Sequence, residues 1–129
     1  MKQLTLGELI TGLVDALKLA ENINQTCIYY DFGDTVPTDL DSWRGSYDEG
    51  AIGYEELDRG NHVFAKHFLE MLQCDVDTFR EGYKGGTYKM YRDIPIWCAN
   101  YGNSGHTAIC GVRYVSYDKI ILDTCYWEY

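Results

Sequence analysis

What the chain lacks narrows it first. Its 129 residues include only two prolines, and its five cysteines, at 27, 74, 98, 110 and 125, form no CxxC pair. With two prolines and 46% apolar residues it is neither a proline-stiffened nor a disordered chain. An odd number of thiols with no paired-thiolate spacing matches no common structural zinc framework, so free, mostly buried cysteines in a reducing compartment are expected. Bases are scarce: eleven against twenty acids, for a net charge of −9. That balance argues against a protein that grips nucleic-acid phosphates with lysine and arginine. No apolar run approaches the length of a transmembrane helix. The opening MKQLTLGELI lacks the basic, apolar and small-residue layout of a secretory signal. The expectation is one globular domain over residues 1–129, in the cytoplasm, with no membrane partner.

Aromatic residues are abundant, at 15% and led by twelve tyrosines. Tyrosine carries an apolar ring and a polar tip, and so serves surfaces and pocket walls as readily as cores. Thr5-Leu6-Gly7-Glu8 reads as a capping box. Leu6, Leu9, Ile10, Leu13, Val14 and Leu17 then follow at helical spacing, predicting an amphipathic helix to about Ala20. A second helix is expected from Val63 to about Gln73, capped by Asn61, and a short helical turn capped by Asp75. Cys27–Phe32, Thr87–Met90, Ile94–Ala99, Thr107–Tyr114 and Lys119–Tyr126 read as strands, the last two joined as a hairpin through Ser116-Tyr117-Asp118. From Gly33 to Gly50 no period survives, which predicts a long ordered loop. The sum is an α+β domain: one or two helices packed on a mainly antiparallel sheet.

Charge is uneven along this map. Between Asp31 and Asp58 stand nine acids and one base, Arg44, whereas Arg80, Lys84, Lys89 and Arg92 face one acid, Glu81, in the stretch they span. Asp31-Phe32-Gly33 matches a kinase metal-binding tripeptide but has no companion motif, and reads instead as a strand end with a turn glycine. Gly82-Tyr83-Lys84-Gly85-Gly86 has the composition of a phosphate cradle without its spacing. Cys98, His106 and Cys110 match no zinc spacing and lack a fourth ligand. No nucleophile, base and orienting group stand together, so no catalytic residue, metal or cofactor is assigned.

Three glycine-punctuated stretches combine rings with polar or basic groups: around Trp43-Arg44-Gly45-Ser46-Tyr47, around Tyr83-Lys84, and from Trp97 through Asn100 and Tyr101. Rings stack on planar ligands, and arginine or lysine holds phosphate. Trp43, Arg44, Tyr47, Tyr83, Lys84, Trp97, Asn100, Tyr101 and His106 are therefore the candidate ligand residues, for a nucleotide-like small molecule. The competing reading makes Trp43 and Trp97 core anchors and pairs Arg44 with local acids such as Asp41 or Asp48.

The order LGELI, YYDFG, SWRGSYDE with Ala51-Ile52-Gly53-Tyr54, GYKGG and PIWCANYGNSG resembles a family of small bacteriophage and prophage proteins of uncharacterised function. The likeness runs roughly from Leu6 to the last hairpin. It implies an accessory phage product in the host bacterial cytoplasm, and brings no activity to assign residue by residue. The expected role is to counter bacterial immunity without catalysis, by sequestering a nucleotide-type immune signal, in a pocket of a kind that homo-oligomer interfaces often build. The alternative is an acidic inhibitor docking on a host defence protein complex, anti-CRISPR-like or as a nucleic-acid mimic. A small nucleotide-processing enzyme is the third class. Direct nucleic-acid binding is not expected.

Overall fold

A computed structural model describes residues 2–43, 48–58, 60–81, 86–99 and 106–127. The capping box forms as its residues dictate. Thr5 Oγ1 accepts from Glu8 N at 3.2 Å, and the Glu8 carboxylate accepts from Thr5 N at 3.0 Å. Helix α1 (Leu6–Leu17) follows, burying Leu6, Leu9, Ile10, Leu13, Ala16 and Leu17. After it come β1 (Cys27–Tyr30), β2 (Thr35–Ser42), β3 (Gly50–Glu56), α2 (Ala65–Asp75), β4 (Phe79–Glu81), β5 (Thr87–Lys89), β6 (Ile96–Cys98), β7 (His106–Val115) and β8 (Lys119–Trp127). None of the helices among the described residues is long and apolar enough to cross a membrane.

Six strands form one sheet in the order β1-β8-β7-β6-β3-β2, and β4 pairs with β5 apart from it. Joints β1/β8 and β3/β6 are parallel; the other pairings are antiparallel. The architecture is sheet-dominated, closer to β-rich than to a balanced α+β domain. β7 and β8 form the expected hairpin, with Tyr117 and Asp118 of its turn at φ 66 and 55.

The sheet must curl. Its two edge strands, β1 and β2, are consecutive in the chain and joined by residues 31–34 alone. Six flat strands would put the edges about 24 Å apart, and four residues reach at most about 14 Å. The Tyr30 hydroxyl closes the gap, donating from β1 to the Ile52 carbonyl of β3 at 3.0 Å. Gly33, at φ +53, makes the turn between the edges, as read from the tripeptide. Asp31 locks the same corner, accepting from the Thr124 amide and hydroxyl at 2.8 and 2.6 Å.

Three sequence expectations are corrected. Residues 33–50 are not one loop: β2 takes up Thr35–Ser42 of them, paired with β3. A register shift between Pro37 and Leu40 breaks the alternation that would have marked β2 as a strand. Asn61 does not cap α2, whose N-cap is Phe64, without a side-chain bond; its amide instead closes the turn after β3, donating to Glu56 O at 2.7 Å. Asp75 starts no helical turn. Asp77, at φ 62, donates to Met90 O, and Met90 donates to Thr78 O, drawing the chain into β4.

Packing is two-sided. The main core gathers both helices against one sheet face, through residues such as Leu9, Leu13, Leu72, Ile52, Ile96, Ile109 and Leu122. Gly12 permits the close seat of α1: a Cβ there would meet Val112 Cβ at 3.2 Å. A second, smaller cluster of Trp43, Ala51, Trp97, Ala108 and Cys110 alternates onto the opposite face.

Candidate functional site

The second cluster is where the sequence-predicted residues meet. Trp97 sits in β6 between Ala51 of β3 and Ala108 of β7, its cross-strand partners. Two methyl side chains leave room for an indole to lie over the sheet. Trp43, just past β2, stacks on it with centroids 5.2 Å apart and planes 23° from parallel. His106, the first residue of β7, completes a triangle, 5.3 Å from each indole. Trp43 N donates to Glu49 O at 2.9 Å. The Trp97 indole N–H donates to the Glu49 carboxylate at 3.1 Å. Trp43 and Trp97 are 5% and 2% exposed, so each ring spends a face on the other.

Of the nine candidate residues, Trp43, Trp97 and His106 are thus brought together. Arg44, Tyr47, Tyr83, Lys84, Asn100 and Tyr101 lie outside the described residues. In sequence, Arg44 directly follows Trp43, and Asn100 and Tyr101 follow Ala99. The Tyr88 hydroxyl of β5 lies 3.5 Å from the Asp41 carboxylate, two residues before Trp43. Glu49 was missed by sequence reading, because nothing local distinguishes it from the eight other acids of its segment.

Thiol chemistry divides between the two faces. Cys98 packs into the main core, where burial pushes its thiol up to about 11. Cys110 belongs to the indole face, pushed up to about 12 by burial and by the hydrogen-bonded Cys125 thiol. Cys98 and Cys110 therefore stand on opposite sides of the sheet and cannot share an ion with His106. At their pKa values both thiols are protonated near neutrality, the inert form for nucleophilic attack.

The electrostatic organisation is less legible in sequence. Among the described residues, Lys2, Lys18, Arg80, Arg92 and Arg113 pair with Glu8, Asp15, Asp75, Asp77 and Asp123. Lys66 bonds Asn24, Lys89 lies over the Phe79 and Tyr91 rings, and Lys119 lies over Tyr29. Every described base is engaged. On the β2–β3 edge the reverse holds. Asp34, Asp39, Asp41, Glu55 and Glu56 are exposed, and none enters an ion pair among the described residues. What read as an acidic loop includes an acidic sheet edge: Asp41, Glu55 and Glu56 sit at paired positions, Asp39 in the register shift and Asp34 just before β2.

No protein-family model matches the chain, and no curated protein or solved structure is significantly similar to it.

Proposed function

We propose that the chain is a non-enzymatic inhibitor that docks through its β2–β3 edge on a basic, nucleic-acid-binding surface of a bacterial defence protein, as a bacteriophage accessory product in the host cytoplasm. The observation that carries this reading is the set of five exposed carboxylates in and beside β2 and β3, without ion-pair partners among the described residues, while every described base is engaged. A cluster of exposed carboxylates presents negative potential to a surface built for phosphates. The same charges also keep β2 from pairing edge to edge with another sheet.

The test is a plaque assay on bacteria expressing the protein together with a nucleic-acid-guided defence system. Phage titre is expected to recover with the native chain and to stay suppressed with the variant carrying D34N, D39N, D41N, E55Q and E56Q. Circular dichroism and thermal melting confirm that the variant folds. Equal recovery by the two proteins sinks the reading.

One observation favours a second reading, nucleotide sequestration: three of nine residues chosen for ligand contact converge, and Arg44 directly follows one of them. A base would have to part the two indoles, which are stacked on each other. Thermal shift with cyclic dinucleotides and ADP-ribose tests it. An upward shift lost in Arg44→Ala supports sequestration, and no shift with either ligand ends it.

A further inference from the structure

A groove of ≈ 270 Å³ lies between α2 and the β2–β3 hairpin, clear of the indole cluster. Its floor is apolar: Val36 from β2, Val63 from the segment before α2, and Phe68 and Met71 from α2 itself. Its rim is not. Asp39 and Glu55 both line it, both are exposed, and neither makes an ion pair among the described residues.

Each carboxylate is placed by the fold. Asp39 falls within the register shift between Pro37 and Leu40, a kind of irregularity that re-aims side chains out of the pleat. Glu55 is held by the Asn61 amide, which donates to one of its oxygens at 2.9 Å, and the other has no hydrogen-bond partner among the described residues. Asn61 is itself anchored through Glu56 O and Asp58 N. The His67 imidazole, edge-on to Phe64 at 5.7 Å, forms the outer wall.

An apolar trough ending in carboxylates matches one side-chain chemistry: a cationic head on an alkyl stem. Arginine and lysine bury their methylene stems along apolar surface while the head reaches charge. An anion is repelled by Asp39 and Glu55. A bare divalent cation finds too few oxygens over a hydrocarbon floor. The volume falls just below that of drug-sized ligand sites and suits a single long side chain.

We propose that this groove receives an arginine or lysine side chain of the basic partner protein, its head between Asp39 and Glu55 and its stem along Val63 and Met71. The assignment rests on the acidic-edge reading and gives that edge an anchor. Anchors of this kind, a desolvated stem with a paired head, carry a large share of interface energy.

The probes are N-acetyl-arginine methylamide and its neutral isostere, N-acetyl-citrulline methylamide, titrated into the full chain with the Val and Met methyl resonances observed. The arginine probe is expected to shift Val36, Val63 and Met71 in a saturable way, and the citrulline probe to bind at least tenfold more weakly. The D39N/E55Q double variant, folded by its methyl spectrum, is expected to lose at least tenfold in affinity for arginine. The proposal is overturned by equal binding of citrulline, by shifts confined to other methyls, or by unchanged affinity in the double variant. It is equally overturned if spermidine occupies the groove more tightly than the arginine probe, which would make it a polyamine site. Because the probes need no partner, their failure with plaque recovery intact removes the groove and leaves the edge. Arginine binding in a chain that gives no plaque recovery does the opposite.

Discussion

At the scale of single residues, Trp97 shows how one pair of rings serves two arguments. Its indole bridges β3 and β7 over two alanines, stacks on Trp43 and donates to Glu49. Removing a side chain that is 2% exposed leaves a cavity under Trp43, and Trp97→Ala is expected to cost about 3–5 kcal/mol in urea unfolding. Trp97→Phe restores part of the volume but not the bond to Glu49, and should cost roughly half as much. A loss under about 1 kcal/mol for the alanine variant would mean that the cluster is not packed as described. The ring chemistry at Trp43, Trp97 and His106 was legible in sequence, since large aromatics beside glycine and small residues stand out. Their mutual stacking was not, because it depends on the register that sets Trp97 against Ala51 and Ala108.

At the scale of elements, local signals carried as far as local chemistry does. The capping box and the stripe of α1 were readable because every partner lies within one turn. The hairpin of β7 and β8 was readable because the turn residues Ser116-Tyr117-Asp118 interrupt two strand-prone runs rich in apolar and β-branched residues. β2 was not, since TVPTDLDS has a proline and two acids and a register shift scrambles its period. Proline and charge suit an edge strand, whose outer side has no ladder to satisfy. β4 is three residues long and is defined only by its partner β5. The curl of the sheet was equally hidden, because it follows from which strands form the edges. Its hydroxyl tie gives a test: Tyr30→Phe removes the bond to Ile52 O and is expected to lower stability by about 1 kcal/mol in the same unfolding assay. The loss should be modest, because Ile52 O also accepts from Ala99 N at 2.9 Å. No change at all would mean that the sheet stays closed without that tie.

At the scale of the whole molecule, proton linkage sets an alkaline limit. Burial, and secondarily the Cys98 thiol beside it, holds the Tyr30 hydroxyl well above the usual phenol range; burial also lifts the Cys98 thiol from 9.0 to about 11. The folded chain therefore keeps protons that the unfolded chain releases, and stability falls as pH rises. The Cys98 contribution is intact below pH 9 and spent above about 11. Two units correspond to about 2–3 kcal/mol. Thermal midpoints should hold to pH 8 and fall by about 5–10 °C toward pH 11, less steeply in Cys98→Ala. A flat profile in the native chain would show that these groups are solvated. The pairing of β1 with β8 also bears on the order of folding events. Among the described residues β1 takes its partner strand from about ninety residues further along, while Ile28 N donates to Val63 O at 2.9 Å. Until β8 is in place, β1 lacks its parallel partner strand and Asp31 has no Thr124 to accept from. Joining β1 to the sheet is therefore a long-range step that follows the placing of β8.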